Sequence, residues 1–362
     1  MNEHTPHHVP TLFYILSLIC LLYVIYNLRR LFTIQEGKEE IRTTNFFYQF
    51  YNSLTFGVGQ KKVYSKKFSY ASLMHFLIGW GFIELFFATT VDFFAARGIL
   101  LNYLPTFDTP WFASLNDTGG AMLTIGLFMA IYRRRIIKPK LLPNNQFSGR
   151  GSLFGDEGIL YFLLLLCIGG FITEAARLSI EKPPTAYFSY IGYSISLLLP
   201  NDIWAHYERF IWWFHAITSL AFIAILPMTK MFHIIAVIFN TGLTNRKKIG
   251  IPRPMYVEKL MTSDDIDIEN IELGANKVSS FTWKQLLDSV ACTECARCST
   301  VCPATSTGKK LSPMKIITDI RQALYDKSLK NKNTEIINGL ITEEELWSCT
   351  TCGACMEECP VL

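Results

Sequence analysis

The chain has 362 residues, of which 50% are hydrophobic, 14% aromatic and 18% charged, with a formal net charge of +4. That is too apolar for an ordinary soluble protein and too charged for a chain immersed in lipid throughout, so two kinds of segment are joined here. The basic residues cluster in short loops between apolar runs, which accounts for them by membrane topology and leaves no case for a nucleic-acid surface.

The first ten residues form a polar tail carrying His4, His7 and His8 and lack a basic n-region. The apolar run that follows leads into Arg29 and Arg30, so it reads as a membrane span and not a cleavable signal. Five segments reach the length a bilayer requires, at roughly 10–32, 69–95, 117–135, 156–178 and 207–241. The third begins awkwardly, after Asn116, Asp117 and two glycines. Cys20 and Cys167 lie alone inside apolar runs and read as small hydrophobes.

Basic residues set the expected orientation. They are dense after segment one (Arg29 to Lys67), after segment three (Arg133 to Arg150) and after segment five (Arg246 to Arg253), and sparse in the alternate loops. The N-terminus is therefore expected outside a bacterial-type inner membrane, and the C-terminal region in the cytoplasm. A membrane domain over 1–245, a linker over 246–280 and a cysteine domain over 281–362 follow from this reading.

Polar groups inside a span are costly, and so are functional candidates. His75, His215 and His233 fall in predicted spans, with His206 at the start of the fifth. His215 and His233 are 18 residues apart on the fifth helix, five turns, so they face one direction and stand about 27 Å apart. His75 then shares a depth with His233, and two imidazoles at one depth on different helices can clamp a haem iron. Gly79 and Gly81 would let a flat macrocycle approach the second span. Glu84, Asp92, Glu174, Arg177, Glu208 and Arg209 gather with His206 toward the outer side, where a Glu84–Arg209 pair would suit a quinone pocket and a helix–helix contact alike.

Eight of the ten cysteines lie between Cys292 and Cys359. A reducing compartment argues against disulfides for them. They read Cys292-T-E-Cys295-A-R-Cys298-S-T-V-Cys302-Pro303 and Cys349-T-T-Cys352-G-A-Cys355-M-E-E-Cys359-Pro360. Three thiolates at this interval wrap one face of a [4Fe–4S] cubane, while the fourth ligates the other cluster. Cys292, Cys295, Cys298 and Cys359 are thus assigned to one cluster, and Cys349, Cys352, Cys355 and Cys302 to the other. Zinc would call for two C-x2-C pairs set further apart. Between the motifs, SPMKIITDIRQALYDK reads as a helix with Ser312 capping and Pro313 at its first position, and ITEEELWSC as one closed by a Thr342–Glu345 capping box.

With those helices, residues 280–362 resemble an α-helical ferredoxin, in particular the small iron–sulfur subunit of heterodisulfide reductase, whose second motif is very similar to LWSCTTCGACMEECP. Five spans with HAITSLAFIAILPMTKMFH in the last resemble the cytochrome b gamma subunit of respiratory nitrate reductase. That resemblance implies an all-α fold, with a five-helix transmembrane cytochrome b bundle ahead of a cytoplasmic dicluster ferredoxin domain. It also implies a haem b held by His75 and His233. His215 matches a ligand of a second haem, but the position ten residues after His75 is Leu85 and not histidine, so one haem or two remain open. Carboxylates and a histidine beside a haem suit a quinone pocket, drawn from Glu84, His206 and Arg209.

The function expected is electron transfer between membrane quinone and a cytoplasmic partner, namely a C-C-G-domain subunit, a flavoprotein or a 2-hydroxy acid dehydrogenase. No nucleotide or flavin motif is present, so substrate chemistry is expected on another polypeptide. In the resembling domains a helix follows the last cysteine, so the chain is expected to be a fragment or to be covered there by a partner. A membrane anchor or redox sensor is the other class that the motifs allow.

Overall fold

The computed structural model describes residues 11–40, 45–96, 103–142, 155–244, 274–325 and 335–361. These residues are mostly helical and contain no strand; isolated bridges join Lys38 to Thr282 and Ile337 to Ile341. The linker expected over 246–280 lies largely outside them. The chain folds into two compact units.

The first unit takes in Val63–Pro139 and Phe154–Leu226, with most of α1 (Thr11–Leu28). Its other helices are α3 (Ser69–Ala96), α4 (Pro110–Tyr132), α5 (Gly155–Glu181), α6 (Tyr190–Ser196) and α7 (Asn201–Ile225). Among the described residues, four helical stretches are long and apolar enough to cross a membrane: Thr11–Glu36, Lys66–Ala95, Glu157–Glu181 and Asn201–Met228. Along α1, Leu12, Ile15, Leu18, Ile19, Leu21 and Leu22 are all exposed, an apolar surface that water would not tolerate and lipid would.

The expected third span corresponds to α4, which is 23 residues long but diluted by Asn116, Asp117 and Thr118, and it is not among the four. Pro110 opens it, where a missing N–H costs nothing. Helices α3 and α4 meet backbone to backbone. A Cβ on Gly81 would lie 2.6 Å from the Gly119 carbonyl oxygen, and one on Gly126 would lie 2.9 Å from the Ile78 nitrogen. Gly81 therefore serves helix packing against α4.

The single helix expected over 207–241 is broken. After α7 come short 3-10 turns at Leu226–Met228 and Lys230–Phe232, and then α8 (His233–Gly242). Pro227 has no N–H for the Ile223 carbonyl. Thr229 then leaves helical geometry (φ −118°, ψ 176°), and its hydroxyl accepts from the Met231 N–H at 3.3 Å as a new cap. His215 and His233 therefore stand on different helices, and their 18-residue spacing no longer sets a common face.

The second unit takes in Asn27–Lys62, Lys140–Leu153 and Pro227–Leu362. It holds α2 (Phe46–Asn52), α8, α9 (Trp283–Ala291), α10 (Arg297–Val301), α11 (Pro303–Ser306), α12 (Pro313–Tyr325), α13 (Glu343–Trp347) and α14 (Ala354–Glu358). Its core joins Phe232, Ala236 and Val237 to Leu286, Val290, Ile320, Leu324, Ile336, Ile341 and Val361. Each large side chain buried there is worth about 1.5–3 kcal/mol, so α8 is bound into the cysteine-bearing core. Asn240 adds polar ties: its amide donates to the Val361 carbonyl at 2.9 Å, and it accepts from the buried Lys284 ammonium at 2.8 Å. Lys284 also pairs with Asp288.

Two basic loops of the sequence fold onto this core. The Lys38 N–H donates to Phe281 at 2.7 Å, and the Trp283 N–H donates back to Lys38 at 3.1 Å. Gly37 permits that approach, since a Cβ there would sit 2.6 Å from the Trp283 nitrogen. Leu142 packs on Ala296 and Met314.

The local expectations between the motifs are met. Helix α12 starts at Pro313, and the Thr342–Glu345 capping box is formed, with both reciprocal bonds at 2.9 and 3.3 Å. Burial works to raise the Glu345 carboxyl, but the Thr342 N–H and the Lys315 ammonium outweigh it and hold the group below its usual range. A depressed folded pKa contributes stability above the unfolded value of about 4.3 that is lost as pH falls through the folded one. Thr342→Ala is expected to cost about 1 kcal/mol, read as earlier denaturant-induced bleaching of the holo-protein's visible absorbance.

Candidate metal centre and membrane histidines

The two cysteine loops are local copies of one another. Cys292 closes α9, Cys295 lies in the loop, Cys298 sits in α10, and Cys302 precedes the proline that opens α11. Cys349 follows α13, Cys355 sits in α14 and Cys359 closes it. Each loop turns through two left-handed residues at matching positions, Glu294 (φ 53°) and Ala296 (φ 63°) in the first, Thr351 (φ 53°) and Gly353 (φ 72°) in the second. Only Gly353 adopts this region without steric cost, so the other three are held by their surroundings. Such turns aim successive N–H groups into a concavity that favours negative charge. The Thr351 N–H donates to Cys349 Sγ at 3.4 Å, and the Glu294 N–H faces Cys292 in the same way.

Cys359 feels Cys292, Cys295 and Cys298, whereas Cys355 feels Cys349 and Cys302. Burial raises the Cys359 thiol well above its ordinary value, helped by those three neighbours, and burial with Cys292 and Cys295 pushes Cys298 up to about 12. Buried thiols that cannot ionise beside one another become thiolates when a metal centre supplies the compensating charge. Among the described residues no three His, Cys, Asp or Glu side chains close to the distances of a single-ion site. Four thiols per set, with the N–H groups of the left-handed turns beside them, are the donor set that a four-iron cube takes.

Sequence reasoning passes over a buried ion pair at the first loop. Glu294 and Arg321 have side chains only 1% and 2% exposed and pair directly, while Arg321 Nη1 donates to the Cys292 carbonyl at 2.9 Å. A signal exists, because position 321 lies on the helical stripe of Met314 and Thr318, where a cation has no business unless it is paired.

The histidines are distributed between the units. His75 is partly buried on α3. His215 on α7 lies against the backbone of Gly169 and Gly170 on α5, where a Cβ on Gly169 would sit 3.2 Å from its Nδ1, an atom that is buried without a hydrogen-bond partner. His233, at the start of α8, has Nδ1 2.6 Å from the Lys230 carbonyl oxygen. Metal-binding histidines are characteristically oriented by such a bond from the other ring nitrogen. His206 and Arg209 are exposed on α7, and Glu84 packs over Gly119. Among the described residues no ion pair joins Glu84 to Arg209.

Residues 284–360 match the family described as a 4Fe-4S dicluster domain. The match falls on the cysteine region of the chain. The chain is 28% identical over 344 residues to "Probable iron-sulfur-binding oxidoreductase FadF" of Bacillus subtilis, covering 84% of this chain and 46% of that protein. It is 27% identical over 349 residues to "EtfAB:quinone oxidoreductase" of Syntrophomonas wolfei, with the same two coverages. It is 28% identical over 170 residues to one subunit of the dihydromethanophenazine:CoB–CoM heterodisulfide reductase of Methanosarcina thermophila, covering 46% of this chain and 55% of that protein. The chain spans about half the length of the curated relatives it matches over most of its own. No solved structure matches it.

Proposed function

We propose that this chain is a membrane electron-transfer component that passes electrons between the quinone pool and a cytoplasmic redox partner. The observation that carries the reading is one chain holding two repeated cysteine loops of ferredoxin type and four helices of membrane-spanning length. The names of the relatives, one a quinone oxidoreductase and one a heterodisulfide reductase subunit, agree with it. Two [4Fe–4S] clusters and a b haem would supply one-electron steps.

For the chain's own residues, Cys292, Cys295, Cys298 and Cys359 would hold one cluster, and Cys349, Cys352, Cys355 and Cys302 the other. His75 and His233 would ligate the haem. The Lys230 carbonyl supports that role by fixing the ring of His233, and the glycine-backed His215 is the residue available to a second haem. With α4 as a fifth span, the N-terminus lies outside and the clusters in the cytoplasm. The folding of Lys38 and Leu142, from two basic loops, onto the cysteine core supports a common side for all three. The partner is a C-C-G-domain subunit, a flavoprotein or a dehydrogenase, and the second loop offers it access, because Cys349 and Cys352 are exposed.

The test is a reduced-minus-oxidised spectrum of the purified membrane protein before and after addition of a quinol. A b-type band and reduction of the clusters by quinol are expected. His75→Ala and His233→Ala should each abolish the band while leaving the iron–sulfur content unchanged. A protein without the band, or one in which both variants keep it, refutes the conduit and leaves an anchor or sensor.

A further inference from the structure

The membrane unit contains a polar network that none of the proposed cofactor ligands uses. Asp117 of α4 is fully buried. Its Oδ2 accepts the backbone N–H of Ile191 at 2.5 Å and of Gly192 at 3.4 Å, which caps the start of α6. Its Oδ1 is buried with no hydrogen-bond partner. The charged side chain facing Asp117 is another carboxylate, Glu174 of α5.

Glu174 accepts from the Ser189 hydroxyl at 2.8 Å and from the Asn116 amide at 3.4 Å. Arg177, one turn along α5, stands 3.6 Å from Glu174, while its Nη1 bonds Asp108 at 2.8 Å and Glu181 at 3.0 Å. Its Nη2 is buried without a hydrogen bond. From α3, Asp92 accepts the Phe107 N–H at 3.2 Å and faces Arg177, Asp108 and Glu174. Glu84, also on α3, lies over Gly119 outside the network.

Four carboxylates, Asp92, Asp108, Glu174 and Glu181, thus surround one guanidinium, which hydrogen-bonds Asp108 and Glu181 and stands further from Glu174, with Asp117 behind it. In a low-dielectric interior, two facing carboxylates repel each other when both are ionised, so such a pair favours taking up a proton. Exposure rises in order along the network. Asp117 is 0% exposed, Glu174 13%, Arg177 24% and Asp108 56%. A buried end with an unpartnered acceptor and a wet end with a carboxylate are the two ends of a proton path.

We infer that Asp117 and Glu174 form the proton-exchange pair of the membrane unit, with Asp108 as its surface end. The inference rests on the quinone reading above. Oxidation of one quinol releases two protons and two electrons, and the cofactors proposed above would take up the electrons. Each proton converts one carboxylate of the pair to the acid, then passes outward to water at Asp108, restoring the carboxylate. Quinone reduction runs the same steps in reverse. Arg177 stays charged and relays nothing, but it holds Asp108 and Glu181 beside Glu174.

The experiment uses the full-length holo-protein in nanodiscs with menadiol as the probe. Asp117→Asn and Glu174→Gln are each expected to slow menadiol-driven cluster reduction about a hundredfold, the scale of lost general acid–base transfer. Both should retain the iron content and the wild-type rate with dithionite, and both should lose the protonated-carboxyl band from the redox-difference infrared spectrum. Glu157→Gln, at the other end of α5, should behave as wild type. Because Asp117 also caps α6, Glu174→Gln with Glu174→Asp as the rescue carries the test alone if Asp117→Asn does not fold. If menadiol leaves the wild-type clusters oxidised, the quinone reading fails and this inference falls with it. If menadiol reduces the wild type and the variants match it in rate and infrared band, the proton pair alone is overturned.

Discussion

Arg321→Met is expected to destabilise the cysteine unit by about 3–5 kcal/mol, because it leaves a carboxylate buried with no counter-charge. Glu294 has nowhere to turn for water, being 1% exposed, and the guanidinium that answers it also supports the Cys292 carbonyl. Glu294→Gln should cost a comparable amount by stranding the cation instead. The double variant Arg321→Met with Glu294→Gln is expected to be less destabilised than the sum of the two, since a buried pair replaced whole costs little or nothing. Iron content should track the order, because Glu294 sits between Cys292 and Cys295 in a left-handed turn that the pair holds in place. The measurement is denaturant-induced loss of cluster absorbance for the four proteins. Single variants within about 0.5 kcal/mol of wild type, the range of ordinary surface changes, would show that the pair holds nothing.

How much of this is legible in advance depends on how local each feature is. The cysteine spacing, Pro313 at a helix start and the Thr342–Glu345 capping box are decided within a few residues, and the structure forms each of them. Apolar length is likewise a local property, and four of the five predicted spans meet it. The break after α7 is hidden because hydropathy continues straight through Pro227 and Thr229 into FHIIAVIF. A scan for apolar length cannot distinguish a face meant for lipid from one meant for protein. The partners that claim α8, Leu286, Val290 and Ile320, arrive fifty or more residues later.

The membrane polar residues show the same division. Their presence is readable, and their pairing is not. A Glu84–Arg209 pair is one arrangement the sequence allows, whereas the structure exposes Arg209 and packs Glu84 over a glycine. The group that matters most in the network, Asp117, reads in the sequence as a poor start to a span. It is a cap for α6, supplied across more than seventy residues of chain, and no periodicity reports a bond of that range.

The crossed assignment of the fourth cysteines makes a prediction that no linear assignment shares. If Cys359 completes the cluster begun by Cys292, removing both ligands damages one cluster only. Cys292→Ser with Cys359→Ser should therefore retain about four irons per chain and the electron paramagnetic resonance signal of one intact centre. Cys292→Ser with Cys302→Ser strikes both centres and should retain neither signal at full intensity. The grouping of the thiols is the physical basis, since Cys359 lies among Cys292, Cys295 and Cys298 while Cys302 lies beside Cys355. Under linear ligation the outcomes exchange, because Cys292 and Cys302 would then belong to one cluster and Cys359 to the other. The Asn240 bond to the Val361 carbonyl sharpens the comparison, as it ties the backbone beside Cys359 to α8 independently of any ligand. Asn240→Ala should thus weaken occupancy of the first cluster and leave the second unchanged. A loss confined to the second would overturn the crossed arrangement from the opposite direction.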